Sequence, residues 1–342
     1  MTVRIGVIGT GMIGQQHIHR LDTLVPGAAV TAVTDHDGEV AARVADGLDH
    51  DVTVHPDGFA LIKDPEVDAV VVTSWGPTHA EFVLAAIGEG KHVFCEKPLA
   101  TTQEDTLRII EAEVAHGSRL VQVGFMRRYD AAYRAMKQTI ADGAIGAPLV
   151  FYSGHRNPDV PAAYTREMAI VDTAVHDFDV ARWLLDAEIT AISVIAPRSN
   201  RHGLGRGEAE DLQDPLLMTI ETSTGAVICC ETSVNIRYGY DIRGEVVGED
   251  GTVSLADRGL VQVRTAGTAA VGVPGDFASR FHAAFDVELT EWVAEVAAGS
   301  PLSGPSSWDG YASAAVCDAG VEALQQGRRV SVDLVEQPAL YR

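Results

Sequence analysis

Asp172 and His176 stand four residues apart in the stretch VDTAVHDFD, a spacing that on a helix brings two side chains onto one face within hydrogen-bonding reach. A carboxylate that holds one imidazole nitrogen leaves the other able to accept a proton, which equips the pair as a general base. A surface ion pair, or a core histidine satisfied by its neighbour, has the same spacing. Lys97, in Glu96-Lys97-Pro98 at the end of an apolar run, could offer a charged donor to a substrate hydroxyl, or be a solvated loop lysine. Gly9-Thr10-Gly11-Met12-Ile13-Gly14 follows G-x-G-x-x-G. In that motif the first glycine permits a tight turn, the second lets a pyrophosphate approach the backbone, and the third allows close helix packing.

These residues need a scaffold, and the hydrophobic pattern supplies one. Val3 to Ile8 reads as a strand, Ile13, Ile18 and Leu21 place a helix after the glycines, and Ala29 to Thr34 reads as a second strand ending at Asp35. An acidic residue about 20 positions past the glycines completes the dinucleotide fingerprint. Asp35 can accept from an adenosine ribose and its charge opposes the extra phosphate of NADP, so NAD is the expected cofactor; a plain surface carboxylate at a strand end is the alternative. Strand and helix signals continue to alternate through Asp51 to Val54, Phe59 to Lys63, Asp68 to Thr73, Thr78 to Gly88, Lys91 to Cys95, a helix capped by Thr101 or Thr102 and running to His116, and Arg119 to Gly124. That alternation predicts an α/β, doubly wound parallel sheet over residues 1–124. Ser74, Trp75 and His79 fall in the loop at its carboxyl edge, where Trp75 could cover part of the dinucleotide and His79 could join it or simply cap and pack the helix.

A second domain, for substrate binding and oligomerisation, is expected over residues 125–342, and from Leu149 onward the alternation ends. Runs near Leu149 to Gly154, Ile189 to Ile195, Leu216 to Glu221, Ala226 to Val234 and Gly244 to Val247 predict an α+β domain with an open, mainly antiparallel sheet. Helices are expected at Phe285 to Ala298 and Trp308 to Gln326, with His282 and Trp292 assigned to structure. The partial alternation of the strands leaves one sheet face for the helices and the other for a second subunit.

Forty-eight acidic against 26 basic residues give the 342-residue chain a net charge of -22, which repels phosphate backbones and anionic membranes and argues against nucleic acid as a partner. Cys95, Cys229, Cys230 and Cys317 lack zinc spacing and read as reduced core residues. No signal segment or bilayer-length apolar stretch is evident, so a cytoplasmic protein is expected. No compact metal-ligand motif appears, although His155, Asp172 and His176 are conceivable ligands in a metal-dependent dehydrogenase.

The segments SWGPTH at 74–79, FCEKPLATT at 94–102, QVGFMRRYD at 122–130, HRNP at 155–158, VDTAVHDFDV at 171–180, RYGYDI at 237–242 and VGEDG at 247–251 extend over nearly the whole chain. With the glycine loop, they resemble the Gfo/Idh/MocA oxidoreductases, and more closely the bacterial inositol 2-dehydrogenases of that family. The resemblance implies Lys97, Asp172 and His176 as catalytic residues, with His176 as the base. It implies a polyol pocket built from Met126, Arg127, His155, Asn157, Thr173, Asp179 and Tyr238 together with the catalytic three. It further implies that Gly9, Thr10, Gly11, Met12, Ile13, Gly14, Asp35, Ser74, Trp75, His79, Glu96 and Lys97 serve the cofactor, and that the chain forms a homotetramer. Asn200 to Asp211 is glycine-rich and longer than the resemblance leads one to expect. Myo-inositol is the expected substrate, with scyllo- and D-chiro-inositol or an aldose as alternatives. An NAD-dependent glycoside hydrolase and a non-catalytic NAD-binding sensor are the competing readings from other classes.

Overall fold

The first strand, β1 (Val3–Ile8), is almost wholly buried and runs into the glycine loop. The computed structural model of the protein describes residues 2–202, 212–256 and 262–342. After β1 come α1 (Met12–Thr23), β2 (Ala28–Thr34), α2 (Gly38–Asp46), β3 (Thr53–Val54), α3 (Gly58–Lys63), β4 (Ala69–Val72), α4 (His79–Gly88), β5 (His92–Glu96), α5 (Gln103–His116) and β6 (Val121–Gly124). The strands form one sheet in the order β3-β2-β1-β4-β5-β6, and every neighbouring pair is parallel. The continuous apolar run of β4, buried at all its positions, is what a strand covered on both faces requires. The strand order reverses between β1 and β4, so the loops after these strands lie at the crevice where doubly wound sheets bind ligands.

Local chemistry fixes the helix starts. Asp37 caps α2 through the Glu39 N–H at 3.0 Å, Asp57 caps α3 through Ala60 at 2.8 Å, and Thr102 caps α5 through Asp105 at 3.1 Å. Each such cap stabilises its helix by about 1 kcal/mol. Of the two threonines expected to start α5, Thr102 is the cap.

The later elements are α6 (Ala131–Ala141), β7 (Pro148–Arg156), a π-helical turn (Ala169–Ala174), α7 (Val175–Leu185), β8 (Ile189–Ile195), β9 (Leu216–Thr222), β10 (Val227–Ser233), β11 (Asp241–Gly248), β12 (Thr252–Ser254), β13 (Gln262–Thr265), β14 (Thr268–Val271), α8 (Phe277–Ala298), α9 (Ser307–Gln326) and β15 (Val330–Ser331). Seven of these strands form a sheet in the order β12-β11-β7-β10-β9-β8-β15. It is antiparallel except where β10 pairs with β7 in parallel. The expected α/β fold with a second, mainly antiparallel sheet is therefore present. The hairpin of β13 and β14 was not anticipated: its strands are four residues each and exposed throughout, so no buried apolar face sets them apart from a loop.

The chain divides into two compact units, the first comprising Met1–Met126, Phe285–Ala314 and Val335–Arg342, the second Arg127–Ala284 and Ala315–Leu334. A division into residues 1–124 and 125–342 misses this return of the chain to the first unit. There Leu289, Trp292 and Val293 join the core built by Val3, Ile5, Val7, Leu21 and Phe94. Helix α8 also begins eight positions before the expected Phe285. Residues 203–211, most of the glycine-rich stretch from Asn200 to Asp211, lie outside the described residues.

Candidate active site

In the first unit, Gly9 adopts φ +98°, and a Cβ there would lie 2.5 Å from the Ser74 backbone N. Only glycine combines that conformation with so close an approach to the chain leaving β4. At Gly14 a Cβ would lie 2.1 Å from the Gly9 carbonyl oxygen, so the missing side chain is what lets α1 pack against the loop. The space over Gly11 is open, and the first turn of α1 has no side-chain cap. Its N–H groups are thus oriented for an anion of the pyrophosphate type.

Thr10, fully buried, donates its N–H to Asp35 Oδ2 at 2.6 Å and its hydroxyl to the same oxygen at 3.1 Å. Burial pushes the Asp35 carboxyl up, but the N–H groups of Asp37 and Thr10, the Thr10 hydroxyl and His36 outweigh it and hold Asp35 below its ordinary value. A fixed negative charge therefore stands at the end of β2. Met12 and Trp75 are largely exposed beside the loop. Ser74 Oγ lies 2.8 Å from Thr78 Oγ1. His79 is 2% exposed, with Nδ1 2.7 Å from the Pro98 carbonyl and Nε2 2.9 Å from that of Ser74. It ties two loops together, the structural role weighed for it from sequence.

Glu96, at the end of β5, directs its carboxylate inward. Oε1 lies 2.8 Å from Nε2 of fully buried His17, and Oε2 accepts the Lys97 N–H at 3.1 Å. Lys97 itself is half-buried at the strand edge, before a cis Lys97–Pro98 peptide.

In the second unit, Asp172 and Thr173 sit on the π-helical turn and His176 on the first turn of α7. The uniform α-helix assumed from the four-residue spacing is thus replaced by a wider turn leading into a regular one, which alters the angle between the two side chains. Asp172 is exposed and His176 is 8% exposed. Thr173 Oγ1 accepts from Asn157 Nδ2 at 3.4 Å and lies 2.6 Å from the Tyr164 hydroxyl, which also reaches Asp172 Oδ2 at 3.2 Å. Burial and the negative charge of Asp172 push the Tyr164 hydroxyl well above its ordinary range, so it stays protonated, its one proton shared between the Met168 carbonyl at 2.7 Å and Asp172.

Arg127 and His155, expected in a polyol pocket, meet in a buried cluster. Arg127 Nη1 donates to Asp177 Oδ1 at 2.7 Å, and His155 Nδ1 lies 2.9 Å from Asp177 Oδ2 and 2.8 Å from Arg127 Nη2. Ser153 donates its hydroxyl to Asp177, and the Tyr240 hydroxyl lies 3.2 Å from His155 Nε2. Burial pushes Asp177 up, yet Arg127, His155 and Ser153 together hold it far below the usual carboxylate range. Burial raises the Tyr240 hydroxyl to about 12 despite the nearby Arg127. This cluster abuts the candidate base, with the His155 and His176 rings 6.3 Å apart.

The other expected pocket residues are placed differently. Asp179, buried, takes a two-pronged contact from Arg128, Nε at 3.0 Å and Nη2 at 2.5 Å. Tyr238 is 50% exposed and donates to Asp241 at 2.5 Å. Met126 is buried. Asp177, Ser153, Tyr164, Tyr240 and His17 were absent from the sequence-derived site. For Asp177 a signal existed: HDFD puts three ionisable groups into a helix whose residues from Val175 to Arg182 are all buried, and such groups require partners. Among the described residues, no three His, Cys, Asp or Glu side chains converge as metal ligands.

A parallel sheet that ends in this glycine loop, with a fixed carboxylate after its second strand, defines a dinucleotide-binding protein. Residues 3–125 match the oxidoreductase family with an NAD-binding Rossmann fold, and residues 133–254 match the Gfo/Idh/MocA C-terminal domain. The chain belongs to the Gfo/Idh/MocA oxidoreductase family, and NAD is its cofactor. It is 55% identical over 341 residues to inositol 2-dehydrogenase 3 of Saccharopolyspora erythraea, spanning 100% of this chain and 98% of that one. It is 47% identical to an inositol 2-dehydrogenase/D-chiro-inositol 3-dehydrogenase of Shouchella clausii, across 100% and 97% of the two chains. The crystal structure of myo-inositol dehydrogenase from Lactobacillus casei with NAD(H) and myo-inositol matches at TM-score 0.96, with 40% identity over 100% of both chains. No helix among the described residues is long and apolar enough to cross a membrane.

Proposed function

We propose that this protein oxidises a secondary ring hydroxyl of an inositol, converting myo-inositol to 2-keto-myo-inositol. The observation that carries this reading is the full-length match, across both units, to a myo-inositol dehydrogenase crystallised with NAD(H) and myo-inositol. The glycine loop and first turn of α1 would hold the pyrophosphate, Asp35 the adenosine ribose, and Trp75, Met12, Ile13 and Ser74 the rest of the dinucleotide. Bound NAD supplies the hydride acceptor at nicotinamide C4.

His176 takes the proton of the reacting hydroxyl, and Asp172 orients the imidazole and stabilises the positive charge it gains with that proton. Lys97 donates to the same oxygen and stabilises the negative charge that develops as the proton leaves. Asn157 and Thr173, already joined to each other, offer groups to neighbouring hydroxyls. Each buried hydroxyl of the ring needs such a partner. Arg127 and His155 contribute through the Asp177 cluster that backs His176, with Met126, Asp179 and Tyr238 completing the surround.

D-chiro-inositol is a second substrate on this reading, supported by the double name of the Shouchella clausii relative. Growth of NADH absorbance on mixing enzyme, NAD and separate myo-, scyllo- and D-chiro-inositol or aldose samples tests the assignment. Aglycone release from a glycoside would instead indicate a hydrolase, and NAD binding without turnover of any polyol a sensor.

The active form is a cytoplasmic homotetramer. Exposed Tyr152, Leu217 and Ile195 on β7, β9 and β8 support a covered sheet face. A sedimentation mass equal to one chain at micromolar concentration would contradict it.

A further inference from the structure

We propose that His17 and Glu96 form a positioning pair that couples the dinucleotide-binding helix to the backbone of Lys97. The inference rests on the reading of Lys97 as the donor to the reacting oxygen, and it goes beyond that reading by saying what holds Lys97 in place.

His17 lies on α1, the helix that opens at the glycine loop, and is fully buried. Its ring stands edge-on to Phe94, centroids 5.6 Å apart at 86°, and 5.7 Å from the Phe285 ring. Apolar surroundings of this kind would be filled more cheaply by leucine, so the imidazole is present for its nitrogen. Nε2 is 2.8 Å from Glu96 Oε1, while Nδ1 is buried with no hydrogen-bond partner among the described residues. A proton on Nδ1 would be a buried, unmatched donor, whereas one on Nε2 has a carboxylate to receive it. The neutral tautomer carrying Nε2–H is therefore favoured, and His17 donates to Glu96.

The carboxylate is held on its other sides as well. Oε2 accepts the N–H of Lys97 at 3.1 Å. Gly124, paired with Glu96 in the β5–β6 register, leaves the space clear, since a Cβ there would lie 3.1 Å from the carboxylate carbon. One carboxylate thus has two tasks: its first oxygen reports the position of α1, and its second fixes the start of the Lys97-Pro98 turn. A shift of α1 when the pyrophosphate seats on its N-terminus passes through His17 and Glu96 to the Lys97 backbone.

The test uses the full-length enzyme with His17→Leu, Glu96→Gln, the double variant and His17→Gln, which keeps a donor. Leu21→Ala, a core substitution on the same helix, serves as a control for stability loss. In the expected result, His17→Leu and Glu96→Gln each lower kcat about 10- to 100-fold, as when a supporting hydrogen bond behind an active group is removed. The double variant is no worse than the poorer single one, because both break one linkage. His17→Gln regains most of the loss, and Leu21→Ala lowers the melting temperature while leaving kcat unchanged.

A second readout needs no turnover: the rate of Lys97 acylation by acetic anhydride, followed by mass spectrometry with and without saturating NADH. NADH slows that rate in both proteins by covering Lys97 directly, and changes it by more in the wild type than in His17→Leu, where the link through Glu96 is cut. Multiplicative losses in the double variant, or an equal NADH effect on Lys97 in wild type and His17→Leu, would overturn the proposal. If the wild type produces no NADH from any inositol, the substrate reading fails, and the acylation experiment still decides the pair.

Discussion

Nδ1 of His155 lies 2.9 Å from Oδ2 of Asp177, and both side chains are removed from solvent. The same carboxylate accepts from Arg127, so one buried negative charge balances a guanidinium and orients an imidazole. Removing it leaves Arg127 buried and uncompensated. Asp177→Asn is expected to destabilise the protein by about 3–5 kcal/mol, read from chemical denaturation. It should also lower kcat, because the His155 ring that loses its anchor sits beside His176.

The same pair sets an acid limit. The folded-state value of Asp177 is depressed below its unfolded one, so the stability it contributes is present above about pH 4 and is lost as the pH falls through the folded value. Melting temperatures measured from pH 5 downwards should drop more steeply in the wild type than in Asp177→Asn, which lacks that ionisation.

His176→Ala tests the base directly. Turnover should fall by roughly 10² to 10⁴ if His176 removes the hydroxyl proton. NADH affinity, measured by fluorescence, should be preserved. Near-normal turnover would remove His176 from the role.

Asp35 governs the choice between cofactors. At about 4 Å each unit charge on a 2′-phosphate would be repelled by about 1 kcal/mol in water, so a doubly charged phosphate loses about 2 kcal/mol, or roughly thirtyfold in affinity. Asp35→Ser should narrow the NAD over NADP ratio of kcat/KM by that order, with part of the NAD activity lost as Thr10 loses its acceptor.

Tyr164 holds Thr173 and Asp172 through one hydroxyl. Tyr164→Phe should cost about 1 kcal/mol of stability, the usual net value of a hydrogen bond. Its more specific effect should be a rise in the KM for inositol with the KM for NAD unchanged, because the residues it steadies are those proposed to meet the ring.

The dinucleotide half was legible because its signals are local. Gly9, Gly14 and Asp35 stand close in sequence, and each strand of the parallel sheet is a short apolar run between turn residues. The buried clusters were less legible for the opposite reason. Arg127 meets Asp177 across 50 positions and His17 meets Glu96 across 79, separations that hydrophobic periodicity cannot register. Arg127 and His155 were expected in the pocket from their motifs, but the motifs do not say that a carboxylate one residue past His176 joins them. The π-helical turn was invisible because the VDTAVHDFD spacing fits an ordinary helix equally well.

That turn carries a consequence for variation among related chains. A π-helical turn contains one more residue than an α-turn closing the same helix, and each residue of an α-helix rotates the chain by about 100°. Deleting one residue between Ala169 and Ala174 would restore a regular helix while swinging Asp172 and Thr173 around its axis relative to His176. On the proposed reading, recognition is thus written in chain length as well as in side-chain identity: a single gap at this point in a relative would re-aim the groups proposed to meet the ring without substituting any of them.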